Sequence, residues 1–146
     1  MTGQGDPQAV AAANEAFYRA FERLDVEAMD ACWAKGVPVS CVHPGWDALV
    51  GREAVMTSWR DIFDATEQMT FRIESPRVLM LGDTAWVLCR ETLVSVVRGQ
   101  SVRASLIATN AFIKHDGVWR IVHHHASPLV EERAERADET GPRTLH

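Results

Sequence analysis

The second half of the chain consists of long β-forming runs separated by short turn sequences. This pattern limits the possible folds of the chain more than any other feature of the sequence does. The turns are Gly82-Asp83, Arg98-Gly99-Gln100 and Asp116-Gly117. Asp-Gly between two alternating apolar runs is the strongest short signal for a β-hairpin. Strands joined by such tight turns pair with their sequence neighbours in antiparallel fashion. Residues 69–127 are therefore predicted to form a four-stranded antiparallel meander.

The first half has the residue spacing of helices. Asp6-Pro7 is a helix start, because aspartate accepts hydrogen bonds from free N–H groups and proline fits the first helical position. One buried stripe then recurs at intervals of three or four residues, at Val10, Asn14, Phe17, Phe21 and Leu24. A second helix follows Asp25, a third covers about residues 51–65, and a short strand, residues 37–43, lies between them. Three helices before a meander predict an α+β fold, with the helices on one face of a curved, mainly antiparallel sheet.

Composition and charge limit the classes of partner. The chain has 146 residues, enough for one domain, and a formal net charge of −5 with its arginines scattered among acids. Nucleic-acid and anionic-membrane partners are therefore not expected, because phosphate contacts dominate such binding. No run approaches the roughly 20 apolar residues of a membrane span, and no secretory signal precedes the first helix. Three widely spaced cysteines in apolar surroundings are typical of reduced thiols in a cytoplasmic protein.

The chain divides into three parts by composition. We expect residues 1–6 to be a disordered N-terminus, residues 7–128 to form the domain, and residues 129–146 to be a charged C-terminal tail. The tail is dense in glutamate and arginine and then turns to Gly-Pro, which favours a solvated segment over a packed one.

The closing strand carries three adjacent histidines. Side chains alternate between the two faces of a regular strand, so His123 and His125 share a face with Trp119 and are expected in the interior. His124 is expected on the outer sheet face. Three roles stay open for the inward pair: structural hydrogen bonding, acid–base or ligand contact, and metal chelation with His43 as third ligand. Because no His-x-x-x-His, Cys-x-x-Cys or paired-carboxylate motif supports chelation, no metal site is predicted.

Arg90 lies in a strand that is otherwise apolar on both faces, where a charge must be paired or hydrated. One interpretation is an ion pair with Glu74 or Glu53. The other is a guanidinium aimed into the interior, where it would bind a carboxylate or enolate through two hydrogen bonds.

Further ligand-binding candidates are an amide and two indoles. Asn110 lies among apolar residues of the following strand, Trp46 follows the first strand in a turn, and Trp59 falls on the inner stripe of the third helix. An indole offers a broad apolar wall with one hydrogen-bond donor, which suits a flat, partly polar ligand. The predicted ligand-binding set is Arg90, Trp46, Asn110, His123 and Trp59.

Three segments together resemble the NTF2-like superfamily, and within it the small bacterial SnoaL-like, ketosteroid-isomerase-related proteins. They are residues 39–44 (VSCVHP), 51–55 (GREAV) and 116–128 (DGVWRIVHHHASP), and the resemblance covers residues 7–128. The closing His-x-His-x-Ser also resembles the association domain of calcium/calmodulin-dependent kinase, with Arg90 in place of its central arginine. The resemblance implies a cone-shaped, cystatin-like fold, an internal pocket and homodimers formed through the outer sheet face.

The resemblance also implies roles for site residues. Tyr18 would match the oxyanion-binding tyrosine of the isomerases, whereas the first strand ends in His43 rather than in their carboxylate base. We expect a pocket for a small, partly apolar organic ligand and a cofactor-independent isomerase, lyase or cyclase activity. His43 or His125 would be the base, with Asp47 or Glu91 orienting a ring, and Tyr18 with Arg90 would stabilise the oxyanion. The alternative is a non-catalytic dimerisation or ligand-sensing module with structural histidines.

Overall fold

The part of the chain that the structure describes forms three helices and one sheet of six strands. The computed structural model describes residues 6–130. Its elements are α1 (Asp6–Arg23), α2 (Val26–Cys32), β1 (Ser40–Val42), β2 (Leu49–Val50), α3 (Arg52–Ala65), β3 (Gln68–Leu81), β4 (Thr84–Val97), β5 (Gln100–His115) and β6 (Val118–Pro128). The sheet order is β2-β1-β6-β5-β4-β3, and only the β1–β6 pair is parallel. The predicted α+β fold with a curved, mainly antiparallel sheet is confirmed.

The predicted meander is built from the four long strands β3 to β6. At the last hairpin, Asp116 has φ 54° and Gly117 has φ 78°. Two consecutive positive φ values define the type I′ turn, whose twist matches that of the flanking strands. The Asp-Gly signal therefore predicted the position of this turn.

Helix α1 packs along the concave side of the sheet against β3, β4 and β6. Its predicted stripe is buried from Val10 through Phe21. Asp6 is the first residue of α1 and is itself buried, so it belongs to the helix and not to a disordered N-terminus. Its Oδ1 lies 3.3 Å from Lys114 Nζ and 3.4 Å from Trp119 Nε1, which ties the start of α1 to the β5–β6 hairpin. The expectations for residues 1–5 and 131–146 lie outside the described residues.

The observed short elements agree less closely with the elements predicted from the sequence. Asp25 caps α2 as predicted, because its side chain accepts a hydrogen bond of 3.0 Å from Ala28 N. The first strand covers only Ser40–Val42, shorter than the predicted residues 37–43. The two-residue strand β2 was not predicted, since two residues are too few to show a period. Within residues 6–130, no helix is long and apolar enough to cross a bilayer.

Strand β3 contains a bulge next to the proline that interrupts its sequence. Glu74 pairs with Arg90 and Arg77 with Leu88, so two residues of β3 oppose one of β4. The first of the two, Ser75, has φ 53°, and the second is Pro76. Proline has no N–H for the ladder, so it is accommodated at a bulge of an edge strand.

A second bulge lies in β6 and affects the site. Phe112 of β5 pairs with Ile121, whereas the preceding Ala111 pairs with His123. Val122 is thus an extra residue on β6 without a partner across the ladder. An inserted residue of this kind shifts the inward–outward alternation of every residue that follows it.

This bulge reverses the predicted orientation of the histidines. His124 is 1% exposed and faces the interior, whereas His123 is half-buried and His125 exposed on the outer face. The prediction that His123 and His125 point inward and His124 outward was therefore wrong, because strict alternation ends at Val122. The buried residues of β6 are Trp119, Ile121, His124 and Ala126.

Aromatic rings fill the interior between α1 and α3. Trp59 is fully buried, as predicted for the inner stripe of α3, and its ring lies 4.8 Å from Phe21 and 5.6 Å from Phe17 in edge-to-face contacts. Such pairs contribute roughly 0.5–1.5 kcal/mol beyond the burial of their area. This part of the interior is packed core.

We expect Arg52→Gln to lower the free energy of unfolding by about 1–3 kcal/mol. Arg52 donates to the Asp30 carboxylate at 2.7 Å and also to three backbone carbonyls at the end of α2, those of Asp30, Trp33 and Ala34. Glutamine cannot reach all of these acceptors. Chemical denaturation would measure the loss, with the exposed Arg60→Gln on the same helix as control; equal losses in both variants would contradict the assignment.

Candidate active site

A cavity of about 370 Å³ lies between α1 and the strands β3 and β4. One wall is apolar, and two polar residues of α1, Asn14 and Tyr18, contribute to the other. Charged residues of the same helix stand at the rim. The lining residues are Ala11, Asn14, Glu15, Tyr18, Arg19, Glu22, Phe71, Ile73, Pro76, Val78 and Val87.

A chain of buried polar side chains extends from this cavity into the core. Tyr18 donates to Glu91 Oε2 at 2.5 Å, and its hydroxyl oxygen accepts from Asn110 Nδ2 at 3.1 Å. The same nitrogen donates to Asn14 Oδ1 at 2.9 Å. Asn110 Oδ1 in turn lies 2.6 Å from His124 Nδ1. Four elements therefore contribute to one continuous network: α1, β4, β5 and β6.

Backbone spacing brings these residues together. Asn14 and Tyr18 are four positions apart on α1, so their side chains lie on one helix face. Asn110 and His124 are directly opposite each other in the β5–β6 ladder. Glu91 occupies an inward position of β4, two residues after the buried Cys89.

The network identifies which nitrogen of His124 carries its proton. The carbonyl oxygen of an asparagine side chain can only accept, so His124 Nδ1 must be the donor. Burial, followed by the nearby imidazole of His43, holds the pKa of His124 well below its usual value. His124 is therefore a neutral imidazole protonated at Nδ1.

Tyr18 and Glu91 form an acid–base pair. Burial raises the pKa of the Glu91 carboxyl to about 7, although the hydrogen bond from Tyr18 opposes this shift. Burial, followed by the charge of Glu91, raises the pKa of Tyr18 well above its usual value. A carboxyl that titrates near neutral pH is suited to general acid–base chemistry.

His43 is buried, but its ring nitrogen bonds Ser58, which lies outside the hydrogen-bond network of Tyr18. Its Nε2 lies 2.8 Å from Ser58 Oγ, and Ser58 gives its own hydroxyl proton to the Val55 carbonyl at 2.6 Å. His43 Nε2 must therefore donate to Ser58. Burial lowers the pKa of His43 to about 4, and its ring packs edge-on against Trp59 at 4.7 Å. His43 does not line the cavity beside Tyr18.

The other predicted site histidines lie outside the interior. His123 Nδ1 is 2.7 Å from Ser40 Oγ, and the rings of His123 and His125 are 6.2 Å apart on the outer sheet face. The postulated pairing of His43 with His125 across a pocket is wrong, as is their three-histidine chelate with His123. Among residues 6–130, no group of three or more His, Cys, Asp or Glu side chains is placed to hold a metal.

The other predicted site residues, Arg90, Trp46 and Trp59, do not line the cavity beside α1. Arg90 occupies an outward position of β4 opposite Glu74 of β3, so its predicted inward orientation was wrong. Its neighbour Glu91 points inward instead and bonds Tyr18 rather than a histidine ring. Trp46 is 44% exposed and lines a separate open depression at the start of α3, and Trp59 is core. Of the predicted set, the structure brings together Tyr18 and Asn110.

Two members of the network, Asn14 and His124, were not among the predicted site residues, and Glu91 was expected only as a partner that orients a histidine ring. Asn14 stood on the predicted buried stripe of α1, where a polar side chain is itself a signal. Glu91 lies two residues after Cys89 on β4, so both side chains are on the same face of the sheet, and the burial of Glu91 could have been predicted from this alternation. His124 could not, since its orientation depends on the bulge at Val122.

Comparison with known proteins agrees with this architecture. The profile of the SnoaL-like domain matches residues 10–131. The chain belongs to the SnoaL-like family. A solved relative from Streptomyces avermitilis, described as a dehydratase candidate of the NTF2-like family, is 38% identical with a TM-score of 0.82, covering 88% of this chain and 99% of that one.

Two further proteins are similar to this chain. A candidate calcium/calmodulin-dependent protein kinase type II association domain from Thiobacillus denitrificans is 34% identical with a TM-score of 0.72, covering 82% of this chain and 94% of that one. The F-box protein SKIP8 of Arabidopsis thaliana is 28% identical over 123 residues, which are 84% of this chain and 51% of that protein. The SnoaL-like chain thus spans about half the length of this curated relative.

We expect Glu91→Gln to steepen the rise of stability with pH between pH 4.5 and 6.5. His43, whose pKa falls from 6.5 to about 4 on folding, binds fewer protons when folded, so it makes stability rise with pH in this window. Glu91, whose pKa rises from 4.5 to about 7, binds more protons when folded and makes stability fall over the same window. Removing Glu91 leaves the histidine effect unopposed.

The difference between variant and wild type should reach about 2–3 kcal/mol across these two pH units. Denaturant unfolding at a series of pH values would measure it. Glu53→Gln, at an exposed glutamate of α3, is the matched control and should follow the wild-type curve. Parallel curves for wild type and Glu91→Gln would show that Glu91 is not held with a raised pKa.

Proposed function

We propose that the cavity beside α1 binds a compact, partly apolar organic molecule through one oxygen function, and that the Tyr18–Glu91 pair exchanges a proton with that oxygen without a cofactor. One observation carries this proposal. A tyrosine of the cavity wall is hydrogen-bonded at 2.5 Å to a buried carboxyl whose pKa burial raises to about 7.

The size and lining of the cavity favour a small ligand with one polar end. A volume of about 370 Å³ is near the lower end of small-molecule sites, which range over roughly 300–1,000 Å³. Phe71, Ile73 and Val87 present apolar surface, and Asn14 and Tyr18 supply the buried polar groups. A molecule of one or two rings with a carbonyl or hydroxyl directed at Tyr18 would match both the apolar surface and the buried polar groups of the cavity.

The proposed chemistry is a proton relay of two steps. The protonated Glu91 carboxyl gives its proton to the Tyr18 oxygen as Tyr18 gives its own proton to the ligand oxygen. Glu91 is left as a carboxylate, and the reverse transfers restore it. Asn110 supports the relay, because its amide N–H stabilises negative charge that develops on the Tyr18 oxygen.

Elimination of water is the reaction class we favour. The relative from Streptomyces avermitilis, 38% identical to this chain, is described as a dehydratase candidate. In an elimination, the relay would protonate the departing hydroxyl and release water, and the Glu91 carboxylate would take up, through Tyr18, the proton lost from the neighbouring carbon as the double bond forms. Isomerisation and cyclisation next to a carbonyl need a proton at the carbonyl oxygen from the same donor, so the proposal includes these two reactions.

This assignment gives the acid–base role to Glu91 in place of His43 and His125. His43, with a pKa of about 4, is a weak base near neutral pH and directs its Nε2–H at Ser58. His125 is exposed on the outer sheet face. Neither lines the cavity that contains Tyr18.

We also propose that two copies of the chain associate through the outer sheet face. Leu79 and Ile107 are 39% and 41% exposed on this face, and the adjacent Trp86 and Leu88 of β4 are half-buried. A sheet face of large apolar side chains is a common surface for self-association. We further propose a cytoplasmic location for the protein, because its three cysteines are free thiols.

We expect Tyr18→Phe to weaken the binding of cyclic ketones and alcohols by about tenfold or more, because the loss of one hydrogen bond to a charged or polarised group costs about 1.5 kcal/mol. A thermal-shift screen of such compounds would identify a ligand, and calorimetric titration would compare the variants. Lys35→Gln, remote from the cavity, should bind as wild type does. Equal affinity of Tyr18→Phe and wild type would contradict the proposal.

We expect Leu79→Glu to convert a dimer into a monomer, because it places a charge opposite Trp86 within the apolar patch. Light scattering coupled to size-exclusion chromatography would measure the mass. Val50→Glu is the control, since Val50 is 74% exposed on β2 at the sheet edge. A dimer that persists in Leu79→Glu would place the contact elsewhere.

A further inference from the structure

We infer that His124 is a positioning residue, whose Nδ1–H holds the Asn110 amide in the orientation that directs the Tyr18 proton toward Glu91. The inference rests on the proposed function in one respect, namely that Tyr18 and Glu91 form the proton-exchanging pair. It assigns to the buried histidine of the triplet a role that acts through Asn110 and without contact to a ligand.

The first step is the hydrogen-bond inventory of the Asn110 side chain. Asn110 has two N–H donors and one carbonyl oxygen, and each has a partner in the network. The donors go to Asn14 Oδ1 at 2.9 Å and to the Tyr18 oxygen at 3.1 Å, and the carbonyl oxygen accepts from His124 Nδ1 at 2.6 Å. Asn110 is fully buried, so no water can replace a lost partner.

The second step is the cost of the reversed amide. Rotation by half a turn would place Asn110 Nδ2 against the protonated His124 Nδ1, donor against donor. It would also place Asn110 Oδ1 against Asn14 Oδ1, acceptor against acceptor. Both contacts leave buried polar groups unsatisfied. The observed amide orientation therefore requires the His124 proton to lie on Nδ1, and a proton at that position in turn disfavours the reversed amide.

The third step links this orientation to Tyr18. Because Asn110 donates to the Tyr18 oxygen, the Tyr18 proton cannot point at Asn110 and is given to Glu91 at 2.5 Å. With the amide reversed, Tyr18 would donate to Asn110 Oδ1, and Glu91 would have to keep its own proton to bond the Tyr18 oxygen. The His124 proton therefore favours the carboxylate form of Glu91.

The surroundings of His124 preserve this tautomer. The ring is 1% exposed and lies 4.9 Å from the Phe17 ring and 5.9 Å from the Trp59 ring, both in tilted contacts. The nearest other imidazole, His43, lies 6.3 Å away and bonds Ser58.

Few titratable groups other than His124 bear on Glu91. Tyr18 faces it from α1, and Cys89 precedes it on β4, with Sγ 3.6 Å from the Tyr18 hydroxyl. In the adjacent ladders its pairing partners are the apolar Ile73 of β3 and Leu106 of β5. The charged groups of the cavity rim are all on α1: Glu15, Arg19 and Glu22.

The chain offers a direct probe of this network. Tyr18 is the sole tyrosine of the sequence, so protein labelled with ¹³Cζ-tyrosine gives one resonance that reports the Tyr18–Glu91 hydrogen bond. In ligand-free wild-type protein we expect this resonance to titrate with a midpoint near the Glu91 pKa of about 7. We expect His124→Phe to raise that midpoint by about one pH unit, a tenfold increase in proton affinity. The phenyl ring keeps the aromatic packing and removes only the N–H.

His124→Asn, whose amide can donate from the position of Nδ1, should restore the midpoint toward the wild-type value. His115→Phe, at an exposed histidine of β5, should leave it unchanged. An unshifted midpoint in folded His124→Phe would overturn the inference, and so would an equal shift in His124→Asn, which would indicate a purely structural role. If His124→Phe does not fold, the ¹⁵N shifts of the wild-type imidazole decide: protonation at Nδ1 supports the inference and protonation at Nε2 overturns it.

These measurements need no ligand. If no compound binds the cavity, the proposed function fails while the positioning role of His124 stands or falls on the titration alone. If Tyr18→Phe weakens binding but His124→Phe leaves the midpoint unchanged, only the positioning role fails.

Discussion

The single residue insertion at Val122 is the constraint on which the site depends. It decides which histidine of β6 enters the interior, and so places His124 against Asn110 rather than against solvent. Without that contact, the Asn110 amide would lose the partner that selects its orientation. One irregularity of the backbone thus supports a hydrogen-bond network that reaches from β6 to a cavity beside α1.

The network also shows how a small domain keeps polar groups in its core. Asn14, Tyr18, Glu91 and Asn110 come from α1, β4 and β5, and each finds a partner among the others. Buried polar groups cost little free energy when every donor and acceptor is satisfied, and much when one partner is missing. The members are therefore expected to act as a unit.

Local signals were sufficient to predict most of the fold and only part of the site. Turn chemistry at Asp116-Gly117 and the apolar stripe of α1 depend on neighbouring residues, so the meander and the helix followed from the sequence. Tyr18 was identified from the resemblance to the isomerases, and Asn110 because an amide among the apolar residues of a strand is conspicuous. The orientation of Arg90 could have been read from alternation with its buried neighbours Cys89 and Glu91. The orientation of the histidines could not, because it depends on a shift in ladder register between strands, and register is a property of the folded sheet.

The bulge of β3 has a consequence for how copies of the chain can meet. Strand β3 forms one edge of the sheet and the two-residue β2 forms the other, so β3 is the only long edge among residues 6–130. Ser75 and Pro76 interrupt that edge where Pro76 borders the cavity, and a proline offers no N–H to an incoming strand. A second chain therefore cannot continue a regular ladder through this stretch of β3, and the proposed ligand entrance would lie apart from the proposed surface of self-association.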